Sequence, residues 1–127
     1  METSPQLSTP PAPVDGQVLE RLREQVGDPG GTMVTELVTE YLSEGATSLS
    51  RLLGAVADGD TTTARAVAHT WSSTSDMLGA AVLATLLRRI RELTASPVEL
   101  GATTAAIEAE YARVSEWLTR SCYQVSA

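Results

Sequence analysis

The sequence predicts an all-α fold, an antiparallel four-helix bundle with one or two extra short helices near its N-terminus. Three observations predict it. Apolar residues recur at helical spacing through most of the 127-residue chain, capping and turn residues separate the apolar stretches, and no β-branched or aromatic stretch alternates with the period of a strand. With 43% hydrophobic residues, the chain can form one hydrophobic core, and we expect one domain.

The N-terminal part of the chain predicts a tail followed by a short helix. Four of the six prolines lie within residues 1–13 among serines and threonines, a composition typical of disorder. The first helix is expected to begin after Asp15, whose carboxylate can cap it, with Val14 and Leu19 placed to form a hydrophobic staple. The glycines and proline of residues 27–31 end this helix.

A long apolar stripe predicts the second helix, which begins with Thr32 as its N-cap and ends at the turn formed by residues 58–60. Gly45 leaves two alternatives open, because it either kinks this helix or separates two helices. One face of the helix carries an acidic residue at every fourth position, which either disfavours wrong partners or simply keeps the protein soluble. These acidic residues are Glu36, Glu40 and Glu44.

Two further helices follow this turn. Asp60 caps a helix that runs to about Met77. Residues 78–80, with the sequence Leu-Gly-Ala, are either a tight turn or a close contact inside a helix. An apolar stripe from Val82 to Leu93 predicts the next helix.

The last helix has a specific start signal. Residues 96–99, with the sequence Ser-Pro-Val-Glu, form a capping box with proline at the first helical position, and the helix is expected to reach about residue 120. We therefore expect the bundle to cover residues 14–121 and the C-terminal residues 122–127 to fray.

Charge and composition exclude several classes of function. The net charge is −7, with nine arginines, no lysine and sixteen acidic residues, so neither nucleic acid nor a membrane surface is expected as a partner. One cysteine and one histidine cannot form an internal disulfide or a zinc site, and no glycine-rich phosphate-binding loop is present. The chain has neither a long apolar stretch nor a signal-peptide pattern, so we expect a cytoplasmic protein.

The only histidine, His69, lies on the polar face of the third predicted helix. At about 100° per residue, the apolar stripe of this helix points away from His69. The stripe consists of Ala64, Val67, Trp71, Ser75 and Leu78. Polar residues share the face of His69, namely Thr62, Arg65, Ser72, Ser73 and Asp76.

This arrangement suits a histidine that reacts with a partner. A neutral imidazole nitrogen is a nucleophile, and small neighbours leave room for another protein to bring an electrophile to it. The face offers no second base and no metal ligand, so the partner must supply the rest of the active site. The alternative is that His69 is an ordinary surface residue of an amphipathic helix.

The segment from Ala68 to Ala80 resembles the motif of the histidine-containing phosphotransfer (HPt) family, whose usual form is AHxLKGSSxxxGA. Trp71 takes the leucine position and Thr74 the first serine position. The flanking helices are similar to those of the family over roughly residues 14–120. The residues that match the motif are Ala68, His69, Ser75, Gly79 and Ala80.

The resemblance implies a phosphoryl carrier in a two-component phosphorelay. His69 would accept a phosphoryl group through Nε2 from an aspartate of a response-regulator receiver domain, and a hybrid histidine kinase is the other partner that it implies. Mg²⁺ would belong to the receiver, and this chain would need no cofactor of its own. Gly79 would be a structural residue. The chain would then be a phosphotransfer protein rather than a stand-alone enzyme, and we expect a monomer.

The sequence departs from the family at two positions beside the histidine. Ser72 stands where the family has lysine, and Ser73 stands where it has glycine. The Ser72 hydroxyl can still donate to a phosphate oxygen, and Ser73 adds only mild crowding. Arg65 is our candidate replacement for the missing cation, because it lies one turn before His69 and its guanidinium offers paired donors for phosphate oxygens. Asp76 adds a negative charge that would disfavour the phosphorylated form if it lies close.

Three functions remain open at this point. The first is a competent phosphoryl carrier, and the second is a non-catalytic HPt-like module that docks a receiver or kinase without phosphotransfer. The third is an unrelated helical bundle. Met33, Val34 and Leu37 either belong to the core or add apolar surface for receiver docking.

Overall fold

Five helices make up the described part of the chain. The computed structural model describes residues 12–25, 27, 32–92 and 96–124, and these residues include no strand, so the all-α prediction is confirmed. The helices are α1 (Gly16–Gln25), α2 (Thr32–Asp58), α3 (Thr61–Met77), α4 (Ala81–Glu92) and α5 (Pro97–Gln124).

The four longer helices form a closed bundle. Each of α2, α3 and α4 packs against the helix that follows it, and α5 packs back against α2. The short α1 packs against α2, as expected for an extra N-terminal helix. The connections around α3 are only two or three residues long, which makes sequential helices antiparallel. The core lies between the four helices and is made largely of aliphatic side chains, including Leu52, Leu83, Leu87, Ile90, Ile107 and Leu118.

The helix α2 is continuous through Gly45, so the two-helix alternative is wrong. Gly45 is buried, and a Cβ built on it would lie 2.6 Å from Cε1 of Tyr111 on α5. The Tyr111 hydroxyl donates a hydrogen bond to the backbone carbonyl of Leu42, at 2.7 Å. The glycine therefore allows the ring of Tyr111 to lie directly on the backbone of α2.

Residues 78–80 form a tight turn, which decides between the two predicted alternatives. Gly79 has a φ of +87°, a backbone conformation that favours glycine. Its carbonyl accepts a hydrogen bond from the Asp15 amide, at 3.0 Å, and a Cβ on Gly79 would lie 3.0 Å from the Asp15 carbonyl oxygen. The turn between α3 and α4 thus holds the chain at the start of α1. The staple residues Val14 and Leu19 are both buried in the core beside it.

Capping side chains begin α1 and α3 where the sequence predicts. Asp15 Oδ1 accepts a hydrogen bond from the Gln17 amide at 3.0 Å. Asp60 Oδ1 accepts from the Thr63 amide at 3.1 Å, and its Oδ2 accepts from the Thr63 hydroxyl at 2.7 Å. These two hydrogen bonds, chiefly the one from the hydroxyl, lower the pKa of Asp60. The carboxylates satisfy amides that a helix start leaves unpaired.

The ends of the domain differ in part from the sequence prediction. The last helix begins at Pro97 as predicted but continues to Gln124, about one turn beyond residue 120 and into the stretch predicted to fray. Residues 1–11 of the predicted tail lie outside the described residues, as do residues 125–127.

We predict that Gly45→Ala destabilises the protein by about 1–3 kcal/mol, because the added methyl group must displace the ring of Tyr111. Gly54→Ala is the matched control on the same helix, since a Cβ there would meet nothing within 4 Å. It should stabilise the protein by about 0.5–1 kcal/mol, through the helix preference of alanine. Urea unfolding of the two variants measures both free energies. A Gly45→Ala protein as stable as the wild type would contradict the close packing.

Candidate functional site

His69 lies in the middle of α3 with its side chain exposed. Its neighbours Ala68 and Trp71 are buried in the core, so the helix is anchored on both sides of the imidazole. The placement of His69 on the outer face is therefore as predicted. The residues predicted to form the inner stripe are all buried, namely Ala64, Val67, Trp71, Ser75 and Leu78.

The exposed face around His69 is polar, and Arg65 on this face is a cation without an ion-pair partner among the described residues. Thr62, Ser73 and Asp76 are exposed, as predicted. Arg65 is also exposed, one helical turn before His69, and it forms no ion pair with any residue that the structure describes. Its guanidinium is thus available to an anion at the imidazole.

Ser72 was expected on this exposed face, and that expectation is wrong. Its relative exposure is only 5%, so its side chain is buried although the helical period places it near His69. Its hydroxyl donates to the backbone carbonyl of His69 at 2.9 Å, and the Ser73 hydroxyl donates to the same carbonyl at 3.3 Å. Because a hydroxyl has a single hydrogen, neither serine is free to donate to a phosphate unless it rotates.

Asp76 has a cationic partner on the next helix. Arg88 Nη1 of α4 lies 2.8 Å from Asp76 Oδ2, and Arg88 also donates to the Thr85 hydroxyl at 3.5 Å. Both side chains of the ion pair are about half exposed, so the pair adds little to stability. It does offset the negative charge that Asp76 would otherwise present on the face of His69. Nothing in the sequence pairs these residues, since they lie on different helices.

A buried polar and aromatic cluster lies beneath the histidine. The hydroxyls of Tyr41 and Ser75 are hydrogen-bonded to each other at 2.7 Å. Burial raises the pKa of Tyr41 to about 12, so its hydroxyl keeps its proton at neutral pH. The rings of Trp71 and Tyr111 meet edge to face, with centroids 5.4 Å apart. These contacts tie α3 to α2 and α5 within two turns of His69.

The described part of the chain shows neither a metal site nor a membrane span. No group of three or more His, Cys, Asp or Glu side chains among the described residues lies close enough together to hold a metal ion. None of the helices, over the residues that the structure describes, is long and apolar enough to cross a bilayer.

The fold and the site together define a helical bundle that presents one exposed imidazole from the middle of a helix. A family model for the Hpt domain matches residues 36–117, more than half of the chain and all of the segment around His69. The protein belongs to the Hpt domain family. The resemblance seen in the motif is confirmed, and the alternative of an unrelated helical bundle is wrong.

A solved structure is similar to this chain over nearly its whole length. It is the crystal structure of histidine-containing phosphotransfer protein B (HptB) from Pseudomonas aeruginosa PAO1. The two share 23% sequence identity and superpose with a TM-score of 0.79, covering 91% of this chain and 98% of the other. This likeness shows a common fold. None of the curated proteins matches the sequence.

We predict that Tyr41→Phe destabilises the protein by about 1–3 kcal/mol, because it leaves the fully buried Ser75 hydroxyl without its partner. The double variant Tyr41→Phe/Ser75→Ala should recover part of this loss, since it removes the unpaired group as well. Urea unfolding at neutral pH measures both.

The pH dependence of stability provides a second measurement on the same residue. The pKa of Tyr41 is raised above its ordinary value of 10. The contribution of its protonated hydroxyl to the free energy of unfolding is therefore fully present below pH 10 and is lost as the pH rises through about 12. Tyr41→Phe should lose less stability over that interval than the wild type. Equal losses in the two proteins would contradict the burial of this hydroxyl.

Proposed function

We propose that the protein is a phosphoryl carrier in a two-component phosphorelay. It accepts a phosphoryl group on His69 from the aspartyl phosphate of a receiver domain and returns it to such an aspartate. The observation that supports this most directly is the exposure of His69 in the middle of α3, within a chain of the Hpt domain family. A receiver can approach the imidazole there without any rearrangement of the bundle.

Phosphoryl transfer needs few catalytic groups from the carrier itself. The lone pair of His69 Nε2 attacks the phosphorus in line, the bond to the aspartyl oxygen breaks, and the aspartate leaves as a carboxylate. The phosphoryl group is then held as phosphohistidine until the reverse transfer. Mg²⁺ is expected on the receiver, and this chain contributes the position of the nucleophile and a nearby cation.

The proposal includes a cytoplasmic, monomeric chain whose partners are receiver domains and hybrid histidine kinases. The net charge of −7 supports protein partners over nucleic acid or an anionic membrane. The chain is then a phosphotransfer protein rather than an enzyme with its own kinase or phosphatase activity.

We predict that radiolabel passes from phosphorylated receiver domains, with Mg²⁺ present, to the wild-type protein and not to His69→Gln. The glutamine keeps a polar side chain at an exposed site, so helix content by circular dichroism should remain unchanged. The measurement is the labelled band after short incubation with a panel of purified receivers. Label on the His69→Gln protein, or none on the wild type from any receiver, would contradict the carrier.

A non-catalytic docking module is the second candidate. It is favoured by the absence of the family lysine and by the engagement of both serine hydroxyls with the His69 carbonyl. If the wild type binds receivers but takes no label, Ser72→Lys/Ser73→Gly should switch transfer on, as this candidate requires. A double variant that folds, binds and still takes no label would weigh against it.

We predict that Arg65→Ala slows phosphoryl transfer roughly tenfold, because the guanidinium replaces the cation that the family lysine would supply. Receiver binding should change much less, so the effect falls on kcat rather than KM. Arg120→Ala is the charge-matched control, since Arg120 is exposed near the end of α5. Transfer rates that are equal in Arg65→Ala and the control would exclude this role.

A further inference from the structure

An open pocket lies between α2 and α3, the helix that carries His69. Its volume is about 160 Å³, which is enough for one large side chain. The apolar part of its lining comes from Leu37, Leu78 and the half-exposed Met77. Met33 is also half-exposed and lies one turn before Leu37, so apolar surface continues beyond the pocket. Exposed methionines are common at surfaces that bind partners, because the flexible side chain adapts to them.

Two carboxylates line the same pocket. Glu40 and Glu44 lie one turn apart on α2 and are both exposed. Neither forms an ion pair with a residue that the structure describes, and the same is true of Glu36, one turn earlier. The pocket thus combines an apolar wall with two uncompensated negative charges at its edge.

The pocket is within reach of any protein that docks on His69. Thr74 and Met77 line it from α3, five and eight residues after His69, which is about 7.5 and 12 Å along the helix axis. A typical protein interface buries about 800 Å² on each partner, an area about 30 Å across. We therefore expect a receiver centred on the imidazole to reach the part of the pocket that Thr74 and Met77 line.

We propose that this pocket receives a basic side chain, arginine or lysine, from the docking surface of the receiver domain. The long aliphatic stem of such a side chain packs against Leu37 and Met77, and its charged end reaches the carboxylates of Glu40 and Glu44. The inference rests on the proposed function, because it takes a receiver as the partner. The inference also predicts that receivers with an uncharged or acidic residue facing the pocket are poor partners.

Two other candidate occupants of the pocket are less complementary to the negative charge of Glu40 and Glu44. The N-terminal segment of this chain, residues 1–11, contains no arginine or lysine and includes an acidic residue, Glu2. A second copy of the chain has a net charge of −7 and is repelled at long range. A partner with a basic docking surface is complementary in charge to the carboxylates of the pocket.

The test compares two double variants that remove the same charge. Glu40→Gln/Glu44→Gln neutralises the pocket, and Glu99→Gln/Glu108→Gln neutralises two exposed glutamates of α5 as the control. Calorimetry measures the affinity of each receiver in the panel for the wild type and for both variants, in a His69→Gln background that separates docking from transfer. We expect the pocket variant to bind about fivefold more weakly at low salt, with a smaller effect at high salt, and the control to bind as the wild type does.

Alanine substitution of each exposed basic residue of the receiver then identifies the occupant. One receiver variant should bind the wild-type protein more weakly than the unmodified receiver does. The same receiver variant should bind the pocket variant as tightly as the unmodified receiver does, which is the coupling expected of a direct contact. The absence of coupling for every basic residue overturns the inference. So does self-association that depends on Glu40 and Glu44, which would assign the pocket to a second copy.

The outcomes separate this inference from the proposed function. If Glu40→Gln/Glu44→Gln with His69 intact takes label at the wild-type rate, and the same double variant in the His69→Gln background binds receivers with unchanged affinity, the pocket is overturned and the carrier is left standing. Binding that depends on Glu40 and Glu44 without any label on His69 overturns the carrier and supports the pocket. A chain that binds no receiver overturns both.

Discussion

The structure depends on the burial of one side of α3, which forces the imidazole of His69 to the other. Ala68 and Trp71 flank the histidine in sequence, and both are in the core. The helix cannot rotate to bury His69 without exposing the indole of Trp71, and burial of a large apolar side chain is worth about 1.5–3 kcal/mol. The exposure of His69 is therefore a consequence of core packing and needs no interaction of the histidine itself.

The same packing limits how far His69 can move. Trp71 meets Tyr111 edge to face, Tyr111 lies on Gly45 and bonds to the Leu42 carbonyl, and Ser75 bonds to Tyr41. The helix that carries His69 is thus held to α2 and to α5 close to the site. A fixed position is what a group-transfer partner requires, since misplacement of reacting atoms by about 1 Å can lower the rate by about 100-fold.

Local patterns made much of this predictable from the sequence. The helical period alone places His69 opposite the apolar stripe, and the caps at Asp15 and Asp60 are set by residues within three positions of them. The features that sequence reasoning missed depend on contacts between distant residues. Tyr111 of α5 lies against Gly45 in the middle of α2, Ser72 is buried although the helical period places it near His69, and the ion pair of Asp76 with Arg88 joins two helices.

The charges of the described surface are divided in a way that suits a carrier without the family lysine. Near the imidazole, Arg65 has no acidic partner among the described residues and Asp76 is paired with Arg88, so the local field is less negative than the net charge of −7 suggests. Glu40 and Glu44 on α2 have no ion-pair partner among the described residues, and both line the pocket between α2 and α3. In the proposed complex, attraction between those carboxylates and a basic receiver acts over the Debye length of about 8 Å and raises the rate of encounter. The proposal thus assigns docking and stabilisation of the phosphoryl group to different residues, so the loss of one lysine beside His69 does not remove both.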